Sequence, residues 1–419
     1  MFVSPTATAT GTGTLADPMS LQNALATPGK IPPGTTVWLR GGDHPWYQDA
    51  TLTCTAAARC TVRSYPGEWA RIVGHIWAKT SFVDLMNFEI IGNDPKRTST
   101  YVLSYTPPDL KQGGIDLQEV GQGTRLINLV IHDGNNNGVG IWSAVTGTEV
   151  HGCLIFNNGW FGADRPHGHG LYMQNLNTSP KIKIEDNIIF NNFVYGLQSY
   201  GSGDVTNNLD IKGNIFGRSG TPAGDNQPVL YLGAGLPATN LTLDDNFSWG
   251  RAEIGDAFGS KGNQNIAMNR NIFFSMNFYY WQNISGTGNR IYEVVGENVI
   301  AATPSRLDRT TNLVGGPRPT TGSEVFVRPN KFAPKRANIA IYNWGKAATV
   351  QVDLSSVLNP GDAFEVRDAY NFLGTPVLRG TYNGPVTIPM TGLTVASGIG
   401  FPAMPHTAPE FGVFVVLGK

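Results

Sequence analysis

Along much of the chain one pattern recurs: an Asn followed by a short apolar stretch. It reads MNFEI at Asn87, INLVIH at Asn128, DNIIFNN at Asn187, GNIFG at Asn214, DNFSW at Asn246, RNIFF at Asn271 and ENVIA at Asn298. In HGCLIFNN, Gly152 holds the Asn position. From Asn187 onward the spacings are 27, 32, 25 and 27 residues. A repeat of roughly 20–35 residues with variable insertions is that of a solenoid, where each coil contacts its neighbours. Asn suits a sharp bend between strands, because its side chain bonds nearby backbone and tolerates unusual backbone angles. Stacked on successive coils, the amides can form a ladder.

A second segment precedes each Asn stretch: GGIDLQ, GVGIWS, GHGLYMQ, YGLQSY, PVLYLGA, GDAFGSK and FYYWQN. It predicts the other main strand of each coil. Strand side chains alternate between faces. With Ile115, Ile141, Leu171, Leu197, Leu230 and Phe258 aligned toward the core, Asp116, Trp142, Tyr172, Gln198 and Tyr231 face outward. Two residues on, Gln118, Gln174, Tyr200 and Lys261 share that outer face. Adjacent coils lie about 4.8 Å apart, so this face becomes a stacked strip of aromatic and amide groups. Sugars lay their apolar faces on aromatic rings and turn their hydroxyls to amides and carboxylates. A row of exposed aromatics is therefore read as a glycan-binding surface; the alternative is that loops or another module cover it.

Near Pro317 the pattern stops, and PRPTTGSE reads as a linker. Beyond it, ANIAIYNWG, ATVQVDLSSVL, DAFEVRDAYNFLG, PVTIPM and FGVFVVLG alternate in strand fashion. The expected organisation is a solenoid over residues 1–322 and a small antiparallel β-sandwich over residues 323–419, an all-β chain throughout.

Composition agrees with short strands and tight turns, since charged residues are only 15% and glycines number 51. The net charge of −1 gives no global field toward nucleic acid or a membrane. No apolar run reaches the roughly 18 residues of a membrane span. Neither nucleic acid nor a membrane is thus an expected partner; oligomeric state has no signature. The opening MFVSPTATATGTGT lacks the basic start and apolar stretch of a signal peptide, yet ordered-looking sequence begins at once. The expectation is a mature secreted or periplasmic protein whose leader was replaced by a start Met. Cys54 and Cys60, in TCTAAARCT, are expected to form a small disulfide loop, which fits an oxidising compartment. Cys153, among apolar residues, is expected as a buried thiol.

With these segments in view, the chain resembles the right-handed parallel β-helix (pectate-lyase-like) superfamily of polysaccharide lyases and glycosidases. FVSPTATATGTGTLADPMSLQNAL is similar to the usual start of that fold, with a short capping helix around Leu21–Ala26. RSYPGEWARIVG resembles the first coil of the group containing alginate lyases and chondroitinase B. The resemblance covers roughly residues 1–325. The last hundred residues resemble the β-sandwich at the C-terminal end of many glycosidases. The resemblance implies a carbohydrate-active enzyme on an extended polysaccharide.

Two chemistries suit such a scaffold. FNNGWFGADRPHGHGLYMQN places Asp164, Arg165, His167, His169 and Tyr172 within nine residues, where the chain enters the strip. β-Elimination from a uronic acid needs a base for the proton next to the carboxylate and a cation for the developing charge. Arg165 or Lys261 could neutralise; His167, His169 or Tyr172 could move the proton. Alginate epimerases of this fold carry Asp-Pro-His; Asp164-Arg165-Pro166-His167 is similar with an extra Arg. Hydrolysis instead needs two flanking carboxylates, about 5 Å apart for retention or 6.5–9.5 Å for inversion. Asp225, Glu253 and Asp256 are the candidates, with Asp116 or Asp164, although an Asp in a Gly-rich turn commonly bonds its own backbone. His167 and His169 alone make an incomplete metal set. Calcium on Asp and Asn oxygens remains open, without a spaced carboxylate motif behind it. A lyase is the first expectation, a glycoside hydrolase the second, and a non-enzymatic glycan-binding protein the third.

Overall fold

The computed structural model describes residues 1–8, 10–119, 121–203, 205–233, 235–255, 262–298 and 306–419. One coil shows how the chain winds. Glu149–His151 lies in a first sheet, Leu154–Phe156 in a second and Leu171–Met173 in a third, and Ile182–Glu185 returns to the first. Each strand pairs in parallel with its counterpart one coil on: Val150 with Ile184, Ile155 with Ile189, Leu171 with Leu197. The first sheet holds eleven strands, from Phe2–Val3 to Trp281–Ser285. Val150, Ile155, Leu171 and Met173 point inward and join one continuous apolar core. The helix Leu21–Leu25 buries Leu21, Ala24 and Leu25 against that core at its N-terminal end, and Ser20 caps it by accepting the Asn23 N–H at 3.2 Å.

The bend from first to second sheet uses two positions, and Asn serves both. The first is left-handed: Asn87 (φ 57°), Asn128 (54°), Gly152 (66°), Asp186 (53°), Asp245 (53°) and Arg270 (54°). The second points inward and carries the ladder. Asn187, Asn214, Asn246, Asn271 and Asn289 each donate from Nδ2 to Oδ1 of the next, at 2.9, 3.1, 2.9, 2.8 and 2.7 Å, ending on Asn312. The expected repeat is corrected at three points. Asn87 and Asn128 occupy the left-handed position. Cys153, rather than Gly152, takes the ladder place below Asn187, whose Oδ1 accepts its N–H at 2.9 Å. The later rungs are Asn289 and Asn312, whereas Asn298 ends the strand Arg290–Asn298.

The third sheet also corrects the alignment. Val139, not Ile141, stands beside Ile115 and Leu171. The outward column is therefore Asp116, Gly140, Tyr172, Gln198, Tyr231, Glu253. Trp142 still faces out, but one step beyond Ile141, level with Gln174 after Met173. The rung after Leu230 begins at Ala252 rather than Phe258; Phe258 lies outside the described residues.

From Glu324 the pairing turns antiparallel. Glu324–Pro329, Arg336–Tyr342, Phe411–Gly418, Ala363–Asp368 and Leu378–Thr381 form one sheet, and Thr349–Val352 pairs with Val386–Pro389. Ile339, Val366, Val350 and Ile388 fill the space between them. The large sheet's other face, with Tyr342 and Phe411, and Tyr370 in the turn after Asp368 pack on Phe190, Ile215, Phe247 and Trp249. Those are outer residues of the second sheet. The C-terminal module thus covers the second sheet and leaves the third sheet's outer strip uncovered. Cys54 and Cys60 are joined, and Cys153 is a buried free thiol whose burial pushes it up to about 12.

Candidate active site on the third sheet

The strip opens into a cavity of about 580 Å³. Trp142, Tyr172, Gln198, Tyr200 and Tyr231 floor it, and Trp160, Arg165, His167, His169 and Tyr195 come from the loops between the second and third sheets. Asn136 and Asn137 of the preceding coil complete the wall, and Asn137 Oδ1 accepts the His169 N–H at 3.0 Å. The rings form a continuous run. Trp142 tilts onto Tyr172 (5.4 Å), His169 lies over Tyr172 (5.8 Å) and Tyr195 (5.2 Å, 6° between planes), and Tyr195 stacks on Tyr231 (5.0 Å, 12°).

The polar groups have defined states. Trp160–Phe161 and Pro166–His167 form a small antiparallel hairpin, which lays the His167 ring flat on Trp160 at 4.9 Å. His167 Nε2 sits 3.1 Å from Asp164 Oδ1. With Nε2–H donating to that carboxylate, Nδ1 carries the lone pair. Burial lowers the affinity of His167 for a second proton, so the ring is neutral near pH 7. Asp164 is held below the ordinary carboxylate range by its bond to His167. His169 Nδ1 accepts the Tyr195 N–H at 3.2 Å, so its hydrogen is on Nε2. Burial, then the charges of Arg165 and His167, depress it to about 3. Arg165 is half exposed, touching Asp164 only at 3.7 Å and the Pro166 carbonyl at 3.2 Å. Among the described residues its guanidinium keeps donors free for an anion.

Residues 102–247 match the family model described as "Right handed beta helix region". The chain carries a right-handed parallel β-helix. A search of curated proteins finds no relative. Among solved structures, the pectate lyase Pel9A aligns at 13% identity and TM-score 0.46, over 74% of this chain and 79% of that one. A rhamnogalacturonan lyase aligns at 12% and 0.43, over 75% and 86%. The complex of XylC with xylose aligns at 8% and 0.40, over 94% and 98%.

The β-helix gathers some of the expected residues and separates others. Arg165, His167, His169, Tyr172, Trp142, Gln198, Tyr200 and Tyr231 line one cavity, with Asp164 bonded behind His167. Tyr172 donates to the Tyr200 carbonyl at 2.8 Å and receives Gln174 Nε2 at 3.3 Å, so its hydroxyl is committed. Asp116 is not an outer-surface group. It is buried, with Oδ2 3.3 Å from His75 Nε2 and accepting Asn136 Nδ2 at 3.1 Å. Gly140 opposite leaves it room, since a Cβ there would come within 1.9 Å of Asp116 Oδ1. Asp225 is exposed in its turn and accepts the Asn226 N–H at 2.7 Å, which is local turn chemistry. Glu253 follows Tyr231 in the outward column, and Asn277 Nδ2 approaches it at 3.5 Å. Lys261 and Asp256 lie outside the described residues. Tyr195 went unforeseen because it precedes its strand on a loop; its only signal is YGLQSY, directly after the Asn192 bend. One coil earlier, the segment after His132 and Asp133 neighbours the segment that leads into the Asp164–His169 loop: Gly159 N–H donates to the Gly134 carbonyl at 2.8 Å. Yet His132 turns away, held between Asp133 Oδ2 (2.7 Å) and Glu89 Oε1 (3.2 Å).

Proposed function

We propose that the protein binds an extended acidic polysaccharide along the third sheet and cleaves it by β-elimination. The observation that carries this reading is the grouping of Arg165, the Asp164–His167 pair and His169 over an aromatic floor, with no carboxylate pair among the described residues that line the cavity. Sugar rings would lie on Tyr195, Tyr231 and Trp142. Arg165 would pair with the uronate carboxylate and balance the negative charge that grows when the adjacent C–H is broken. His167 Nδ1, with Asp164 fixing the tautomer, would take that proton. The C–O bond to the leaving sugar then breaks as the double bond forms. The leaving oxygen needs a proton, and Tyr195, whose burial keeps the phenol protonated, would supply it. His169 Nε2–H is a fixed donor for the same region. The Cys54–Cys60 disulfide supports an extracellular or periplasmic setting.

A glycoside hydrolase is the second reading. It is favoured by a separate cavity of about 510 Å³ in which Asp225 and Glu293 share walls with Arg218, Arg251 and Phe274. A polysaccharide panel (alginate, pectate, glycosaminoglycans and plant hemicelluloses), read by ultraviolet absorbance and by reducing ends, separates the two. The lyase reading expects both signals to rise together on an acidic substrate and to vanish in Arg165→Ala. Reducing ends without absorbance would overturn it in favour of hydrolysis. Binding without either signal would leave a glycan-binding protein.

A further inference from the structure

A cluster on the first sheet, remote in the fold from the third-sheet cavity, has the donor set of a metal site. Glu149 and His151 are two residues apart on one strand and so project from the same face. His151 stands in register with Glu185 on the next coil. One ligand atom from each of Glu149, His151 and Glu185 lies within 4.8 Å of the others. His151 is wholly buried, and neither ring nitrogen has a hydrogen-bond partner among the described residues. Its Nδ1 is turned toward the carboxylates, 3.8 Å from Glu185 Oε2 and 3.9 Å from Asp186 Oδ2. An unpartnered buried imidazole beside carboxylates is costly unless something accepts its lone pair. The Phe332 ring packs edge-on against it at 5.0 Å.

The cluster already holds a cation. Lys331, from the C-terminal module, inserts its ammonium between Glu149 and Glu185, 2.5 Å from Glu185 Oε2. That ammonium bonds the two carboxylates and makes no hydrogen bond to either ring nitrogen of His151. A divalent transition ion would satisfy all three groups at once. Zn²⁺ accepts carboxylate oxygens and imidazole nitrogens alike, with ligand distances of about 2.0–2.2 Å. The Lys331 side chain is 43% exposed, so it can swing into water when the ion enters.

We propose that Glu149, His151 and Glu185 form a divalent transition-metal site, of the Zn²⁺ class, and that Lys331 is its built-in competitor. Binding would exchange the ammonium for the ion. The C-terminal module would stay attached through Arg328 on Asp186 (2.9 Å) and Arg336 on the Gly152 carbonyl (3.0 Å). Lys331 would thereby set the affinity of the site.

The test is calorimetric titration of the full, chelator-treated chain with Zn²⁺, with Co²⁺ absorption as a second readout of the ligand set. The expected result is one saturable site, tightened at least tenfold in Lys331→Met. Glu185→Gln and His151→Ala should each weaken it at least tenfold and change the Co²⁺ spectrum. His151 is deeply buried, so melting curves accompany each variant; where His151→Ala does not fold, Glu149→Gln takes its place. Absence of saturable binding in Lys331→Met, or binding unchanged by loss of Glu185 or Glu149, would overturn the proposal and leave Lys331 as a fixed ionic tie between module and β-helix.

Discussion

The His169 Nδ1 accepts the backbone N–H of Tyr195 at 3.2 Å while the two rings lie parallel, 5.2 Å apart. One bond and one stack thus fix the tautomer and hold the ring neutral. Nitrogen-detected NMR should find His169 protonated on Nε2 alone from pH 5 to pH 8. A protonated Nδ1 in that range would contradict the geometry. Its folded affinity for a proton is depressed to about 3, against an unfolded value near 6.5. The unfolded chain binds more protons between those values, so His169 makes stability fall as pH drops below about 6.5.

His132 works in the opposite sense. Burial opposes its charge, but Asp133 and Glu89 outweigh burial and raise it to about 9. Its contribution to stability is complete below about pH 6.5 and is lost as pH rises through 9. Denaturant titrations from pH 6 to pH 10 should show that loss, and His132→Gln should flatten it. An unchanged alkaline slope in the variant would mean that the charge lies elsewhere.

Arg165 has no buried contact to lose. Arg165→Ala should leave the melting temperature nearly unchanged and lower kcat/KM on the acidic substrate by about 10²-fold or more, the size expected for one charge-stabilising group. His167 differs, because it is buried on Trp160. His167→Ala should lose activity and also some stability. Equal activity in wild type and Arg165→Ala would remove Arg165 from the site.

Asn246 sits in mid-ladder, donating to Asn271 Oδ1 at 2.9 Å and to the Ile211 carbonyl at 2.8 Å, and accepting from Asn214. Asn246→Ala leaves buried partners unpaired, which should cost about 1–3 kcal/mol per abandoned group. Guanidinium unfolding measures it.

Trp249 stacks on Phe411 at 5.5 Å and belongs to the core shared by the second sheet and the C-terminal module. Trp249→Ala should cost about 3–5 kcal/mol, the usual range for an emptied core aromatic. If the module contributed nothing to the β-helix, the solenoid's unfolding would not move.

Much of the solenoid was legible because its signals are local. An Asn before an apolar run marks a bend whatever the neighbouring coil does. Alternation decides in from out, so Tyr172, Gln198, Tyr200 and Tyr231 were placed on the correct face. Register was less legible, because sliding a strand by two residues preserves every in–out assignment. That is why Trp142 kept its face and lost its rung, and why Ile141 stood in for Val139. Asn fits both bend positions, so Asn128 and Asn187 look alike in sequence and sit in different places.

What the chain determined by itself is therefore what depends on near neighbours: the strand-and-bend repeat, the Cys54–Cys60 loop, and the polar run from Asp164 to His169. Only the tertiary structure decided what depends on distant partners. Gly140 drew Asp116 into burial with His75. Trp160 and Tyr195 turned two histidines into groups of defined protonation. The C-terminal module chose the second sheet, whose strands Leu154–Phe156 and Ile188–Phe190 are apolar on both faces and needed a cover. The third sheet stayed open for a ligand. Burial, register and proton affinity arise between coils, and no stretch of a single coil contains them.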